Sequence, residues 1–195
     1  MNPYLAYVPL DKATRLLNHG PTVLVSARHA GMSNVMAAAW CCALDFTPPK
    51  LTIVLDKSAR TRTLVERSGR LVIQVPTAGQ LKMTHALGNV SLKDDPEKLA
   101  HCGATLFELA GQDLPFVEGC AAWLVCKVIS EPHNEQVYDL FIAEVVAAWA
   151  DSRVFHDGHW LFEEADPAMR SLHHVAGGHF YAIGDALKVR GVMTD

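Results

Sequence analysis

The apolar residues of this chain come mostly in short continuous runs, and those runs limit the fold more than any other feature. Residues 22–26 (Thr-Val-Leu-Val-Ser), 51–55 (Leu-Thr-Ile-Val-Leu) and 71–75 (Leu-Val-Ile-Gln-Val) are β-branched stretches of strand length. The two longest such runs, 120–129 and 137–149, are separated by a polar loop at 130–135 and predict an antiparallel pair of central strands. After a turn at Ala30-Gly31, residues 33–40 lead from Ser33 and Asn34 through Ala37, Ala38 and Ala39 to Trp40. Helices are expected only as inserts: 60–68 closed by Gly69, 78–87 ended by Gly88-Asn89, and 96–101 ended by Gly103. An extended lead-in at 4–9 precedes one more at 11–19, with Ala13, Leu16 and Leu17 on one face. Further on, 154–155 and 159–162 flank a tight turn at His156-Asp157-Gly158, Asp166-Pro167 opens a short helical piece, and 173–185 is a glycine-broken strand. Strands outnumber helices without the regular alternation of a doubly wound sheet, so the fold class is mainly β with short helices, as an antiparallel barrel.

A chain of 195 residues supports one sizeable core, and no repeat, low-complexity segment or linker divides it, so a single domain spanning 1–195 is expected. The net charge of −4 gives no electrostatic footprint for nucleic acid. No apolar run approaches the roughly 18 residues needed to span a bilayer, and Met1-Asn2-Pro3-Tyr4 does not open a signal sequence. A soluble, cytoplasmic protein with no membrane partner follows as the expectation. Five cysteines, at 41, 42, 102, 120 and 126, cannot all pair within one chain, show no C-x-x-C spacing, and are expected to be buried thiols in a reducing compartment. His173, His174 and His179 flank a Gly-Gly break without the spacing of a metal site, so no metal is expected. The chain lacks Gly-x-Ser-x-Gly, Gly-x-Gly-x-x-Gly and P-loop signatures, which leaves a serine hydrolase, a Rossmann domain and an NTPase unsupported.

The densest chemical signal lies where the 51–55 strand empties into Asp56-Lys57-Ser58-Ala59-Arg60-Thr61-Arg62-Thr63. A strand that delivers cations and hydroxyls to a helix start places positive charge and free backbone N–H groups at one point, which suits a phosphate. The same residues also suit a capped surface helix with Ser58 at the N-cap. The small residues Ala37, Ala38 and Ala39, with Asn34 for polar edge contacts and Trp40 as a wall, leave room for a planar ring, although they also suit a plain packed strand.

The segments 21–25, 31–36, 60–65 and 69–76, with Trp40 and Pro48-Pro49, and further on 88–93, 140–145 and 177–181, taken in order, resemble the flavin-reductase-like family and its flavoredoxin-type members. The likeness runs over roughly residues 10–185. It implies an FMN-binding split β-barrel, with FMN held non-covalently in a homodimer near the subunit interface. By the same resemblance Asn34 and Trp40 would border the flavin ring, and Val35, Met36 and Ala37 would lie along it, with Met36 and Ala37 presenting backbone. Thr61, with Lys57, Ser58 and Arg60, would hold the phosphate, with Lys93 as a second cation and Lys98 as its runner-up. NAD(P)H would be the co-substrate, and free flavin or another redox acceptor the partner. Many NAD(P)H-dependent members carry Gly-Asp-His before the strand that here begins Val137-Tyr138-Asp139. Asp139 stands near where that histidine would seat the nicotinamide, with His133 as a substitute and Phe180 as a further substrate-side residue. An FMN electron carrier reduced by a protein donor is the alternative.

Overall fold

The computed structural model describes residues 16, 20–187 and 189, so the expected lead-in at 4–9 and most of the helix at 11–19 lie outside the described residues. In chain order the main strands are β1 (Val23–His29), β2 (Met32–Ala38), β3 (Cys41–Phe46), β4 (Pro49–Val54) and β5 (Arg70–Val75), with α1 (Arg60–Ser68) before β5. Then come α2 (Leu81–Asn89), α3 (Lys98–His101), β6 (Leu106–Phe107), β7 (Phe116–Val117), β8 (Ala122–Ile129), α4 (Pro132–Val137) and β9 (Leu140–Ala150). Three small elements close the chain: the hairpin of β10 (Phe155–His156) and β11 (His159–Trp160), a 3₁₀ turn at Pro167–Met169, and the hairpin of β12 (Leu172–Ala176) and β13 (His179–Ala182).

Seven strands form one antiparallel sheet in the order β2-β1-β5-β8-β9-β4-β3. The β1–β2 turn works because Ala30 and Gly31 both take positive φ, 50° and 76°, which matches the twist of a two-residue hairpin. β1 and β4 are separated by three strands in the sheet, yet Val23, Val25 and Ala27 share one core with Leu51 and Ile53. That sharing requires the sheet to roll, and Leu64 and Val65 of α1 fill the inside of the roll beside Leu71, Ile73, Cys126, Phe141 and Ala143. The two edge strands, β2 and β3, do not pair with each other, so the roll stays open.

The outer face of β1, β2, β5 and β8 is covered separately. Leu24 and Val35 pack with Leu87 of α2, Cys102, Val117 and Cys120, and Val72 and Val125 pack with Leu114 and Phe116. A buried polar chain fixes this layer: Gln74 Nε2 donates to Ser26 Oγ, Ser26 Oγ donates to the Pro115 carbonyl, and the Val117 N–H donates to Gln74 Oε1. Gly88 lets α2 lie close on β2, since a Cβ there would sit 3.3 Å from the Ala37 Cβ.

The mainly β class with short helices holds, and α1 spans the expected residues, closed by Gly69 at φ 66° with its N–H on the Val65 carbonyl. Four expectations need correction. The polar stretch expected as a loop at 130–135 contains a helix, α4, with Pro132 in its first turn, and β9 starts at Leu140 rather than at 137. The second expected helix starts with a 3₁₀ turn at Ala78–Gln80 and continues through Gly88 to Asn89. The glycine-broken strand at the end is a hairpin that turns at Gly177. The N-cap of α1 is Ala59, which gives no side-chain cap, because the Ser58 hydroxyl donates to Asp56 Oδ1 instead. Among the described residues no helix is long and apolar enough to cross a membrane, and no group of His, Cys, Asp or Glu could hold a metal ion.

Candidate functional site

As an edge strand, β2 pairs on one side only, with β1, and a groove follows it. α1 and α2 both pack on β2 and form the walls. The groove consists of two cavities of about 300 and 240 Å³ that share Gly88 and Asn89. The larger is floored by Ala37, Ala38 and Ala39 and roofed by His85, His174 and Phe180. Its three rings pack edge-on or tilted, with Phe180 centred 6.1 Å from His85 and 4.9 Å from His174. His174 is fixed at both ends: its backbone N–H donates to Thr22 Oγ1, and its Nε2 lies 2.8 Å from the Gly177 carbonyl, so the proton sits on Nε2.

The smaller cavity is polar and lies against the start of α1. Asn34, Met36, Ser58, Ala59, Arg60, Thr61 and Lys98 line it. Asn34 and Thr61 are both buried, and Asn34 Nδ2 donates to Thr61 Oγ1 at 2.9 Å, which leaves the threonine O–H proton as a donor. Asn34 Oδ1 is buried without a hydrogen-bond partner. With no side-chain cap on α1, its first N–H groups face a cavity rather than a hydroxyl. Asp56 also lines this space, and hydrogen bonds from the Ser58 hydroxyl and N–H hold its carboxyl below the usual range, so it contributes a negative charge to the wall.

Two cations reach the smaller cavity. Arg60 is half-buried, and its Nη2 meets only the Met32 sulfur, at 3.3 Å. Lys98 is 2% exposed; its backbone N–H donates to the Asp95 carbonyl, and its ammonium makes no hydrogen bond or ion pair with the described residues and lines the cavity. Burial pulls its ammonium below the ordinary lysine range.

The residues expected at the site therefore divide. Asn34, Met36, Ser58, Arg60 and Thr61 are brought together in one cavity, and Ala37 and Phe180 in the other. Val35 is buried in the outer core. Trp40 lies at the elbow between β2 and β3, 52% exposed, and lines neither cavity. Lys57 points away and stands 3.7 Å from Asp139. Lys93 is exposed and donates to the Ser58 carbonyl at 2.7 Å, so it braces the rim. Asp139 is bound to Arg62, and His133 packs edge-on against Tyr138, 5.8 Å between centroids, with neither lining the groove. Thr84, His85, Gly88 and Asn89 of α2 went unanticipated, since a helical pattern does not say which strand it will pack on. His174 had a signal only as one of several clustered histidines.

A family profile for the flavin reductase like domain matches residues 15–165. The chain is 39% identical over 180 residues to the uncharacterized protein YddH of Escherichia coli (strain K12), covering 91% of this chain and 94% of that one. Its structure is similar to an FMN-binding domain of a flavin reductases-like enzyme from Shewanella baltica OS155, with a TM-score of 0.86, 64% identity, and 94% and 96% of the two chains covered. The flavoredoxin of Desulfovibrio vulgaris (Miyazaki F) shares the fold at a TM-score of 0.74 and 22% identity, covering 88% of this chain and 91% of that one. On this match of profile, sequence and fold, the chain belongs to the flavin reductase-like family and has its split-barrel architecture.

Proposed function

We propose that this protein is an FMN-binding oxidoreductase of the flavoredoxin or flavin reductase type, which takes hydride from NAD(P)H and passes electrons to free flavin or another acceptor. One observation carries the reading: a groove floored by three alanines ends at an uncapped helix N-terminus beside two cations that have no carboxylate partner among the described residues. The donor set fits a flat ring that carries a phosphate. The FMN-binding description of the Shewanella baltica relative supports the same cofactor. In this reading Ala37 and Met36 lie along the ring with β2 backbone on the free edge. Asn34 orients Thr61, and Thr61, Ser58 and Arg60 hold the phosphate with the α1 N–H groups. Bound FMN supplies hydride acceptance and electron release, while the protein side chains position it and exclude water.

A homodimer belongs to the proposal, as does a cytoplasmic location for the whole chain acting as one domain. Among the described residues the outer edge of β3 is unpaired, and the strand carries Leu44 at 51% and Phe46 at 95% exposure. An apolar sheet edge of this kind is usually covered. A second copy would cover it. Light scattering should then report about twice the 21.3 kDa chain mass, and Phe46→Asp should halve it.

The electron-carrier reading keeps the same cofactor and removes the hydride donor. What favours it is the placement of Asp139 and His133 away from the groove, which leaves neither free to seat a nicotinamide. Absorbance and mass spectrometry of material released by denaturation test the cofactor. Anaerobic mixing with NADH and NADPH tests the donor: bleaching of the flavin without a second protein is the expected result, and absence of bleaching with either nucleotide would favour the carrier.

A further inference from the structure

We propose that Lys93 sets the choice between a flavin mononucleotide and a flavin dinucleotide, by bridging the two walls of the smaller cavity at the end away from the ring. The inference rests on the flavin reading and adds to it which nucleotide the site admits. One wall of that cavity is the approach to α1, with Ser58 and Thr61, and the other runs from Leu87 to Ser91 and Leu92. Gly88 and Asn89 are shared with the larger cavity, so the second wall recedes from the ring end as it passes Ser91 and Leu92 to reach Lys93. There the Lys93 ammonium donates to the Ser58 carbonyl at 2.7 Å, and both residues are exposed. The bond therefore crosses from wall to wall where the cavity meets solvent.

The bridge is in place in the ligand-free chain. Ser91 Oγ accepts the Lys93 N–H at 3.2 Å, and the Ser91 carbonyl accepts the N–H groups of Asp94 and Asp95 at 3.1 and 3.0 Å. The turn that carries the lysine is thus closed on a residue that itself lines the cavity. Among the described residues the Lys93 ammonium has no carboxylate partner, so the Ser58 carbonyl is its anchor.

A mononucleotide ends at its phosphate and can lie wholly behind this bridge. In a dinucleotide the same phosphate carries a second phosphoryl group and a nucleoside, so the ligand has to continue outward past Ser58 and Lys93. Threading it through breaks the bond between them. It also brings a second anion toward Asp56, which lines the cavity as a carboxylate, and toward the turn that follows Lys93 with Asp94 and Asp95. Part of the preference does not depend on Lys93: a phosphate monoester carries about −1.5 to −2 at neutral pH, whereas each phosphate of the dinucleotide carries a single charge, and Arg60 attracts the first more strongly. The change in preference when Lys93 is altered is therefore the informative quantity.

The test uses the full chain freed of flavin, as wild type, Lys93→Ala and Lys93→Arg, titrated with FMN, FAD and riboflavin beside a ligand-free thermal melt. Wild type should prefer FMN to FAD by at least about tenfold, and Lys93→Ala should narrow that preference by about three- to tenfold, the range of one hydrogen bond. The narrowing should come from tighter FAD, with riboflavin affinity and the melt close to wild type. Lys93→Arg can still donate to the carbonyl and should keep most of the wild-type preference. An unchanged preference in Lys93→Ala overturns the inference. So does a loss of FMN affinity alone, which would make Lys93 a phosphate contact, or of FAD affinity alone, which would make it a clamp on the second phosphate. Losses for all three ligands with a lowered melt would reduce it to a brace of the turn and overturn the inference likewise. If wild type binds none of the three, the flavin reading falls and the inference with it, whereas FMN binding with an unmoved ratio sinks the inference alone.

Discussion

Arg62 and Lys98 are both cations withdrawn from water, at 4% and 2% exposure, and they solve the problem in opposite ways. Arg62 uses its whole fork: it donates to the Leu55 carbonyl at 2.9 Å, the Glu135 carbonyl at 2.7 Å, Glu66 Oε1 at 2.8 Å and the Asp139 carboxylate. Its guanidinium also lies 5.2 Å above the Phe141 ring. Burial opposes the charge, but the hydrogen bonds to Glu66 and Asp139 outweigh it and hold the guanidinium above its usual range. The bonds tie α1 to the end of β4, to α4 and to the residue before β9. Lys98 has no such set. A buried charge satisfied by the protein is a joint of the fold, whereas the Lys98 ammonium has only the cavity it lines.

The comparison is broken most directly at Arg62. Arg62→Met should cost about 3 kcal/mol of stability, because it removes the hydrogen-bonding cation from the Asp139 carboxylate, leaving only Lys57 at 3.7 Å, and takes the donor from two carbonyls, while leaving flavin affinity of the folded molecule unchanged. Urea denaturation of ligand-free protein measures the first and titration the second. A loss under about 1 kcal/mol would show that the bonds seen here are not what holds α4 in place.

Arg60, the half-buried neighbour in the same helix turn, should behave in the reverse sense. Arg60→Ala should leave the melt near wild type and weaken FMN by about tenfold, with riboflavin unaffected, since the loss acts only on a ligand that has a phosphate. Equal weakening of both flavins would move Arg60 from the phosphate to the ring.

Trp40 tests the other end of the groove. As it lines neither cavity of the single chain, its contact with a ring depends on the dimer, and Trp40→Ala should cost both flavins alike, by about 1 kcal/mol. Tryptophan emission that is quenched on flavin binding in wild type should lose that component in the variant. Unchanged affinity together with unchanged quenching would leave Trp40 as a surface residue of the β2–β3 elbow.

Buried groups have a third solution, which is to stay neutral. Burial pushes the thiols of Cys41, Cys120 and Cys126 up to about 12, so they remain protonated at ordinary pH. The sequence suggested that all five thiols would be buried, but Cys41 is only half-buried and Cys42 is exposed, both on edge strand β3. Alkylation at pH 8 should modify Cys42 first, and Cys42→Ser should remove the fast phase. A fast phase that survived would show that β3 opens readily and gives access to Cys41.

How much of this was legible in the sequence depends on how local each cause is. α1 could be read to its ends because its stop signal, Gly69, sits beside it, and β1, β4, β5, β8 and β9 because their β-branched runs match strand length. The helix α4 was missed because a bond from Arg62, some 70 residues earlier, holds it; by spacing alone it is a polar connection. The two-residue pair β6–β7 carries no pattern, and it exists because Gln74 and Ser26 give its backbone partners. The polar end of the groove was visible as a cluster of cations and hydroxyls. Which of those cations faces it was not, since Lys57, Lys93 and Lys98 differ only in what the fold places around them.

The central proposal is that the start of α1, with Ser58, Arg60 and Thr61, is a phosphate site beside a ring-binding edge. Parallel calorimetric titration of flavin-free wild-type protein with FMN and riboflavin tests it most directly, because the two ligands share the ring and differ in the anion. Two charge-assisted contacts at roughly 1.5 kcal/mol or more each predict a preference for FMN of at least about 100-fold. Equal affinity for the two flavins would contradict the account.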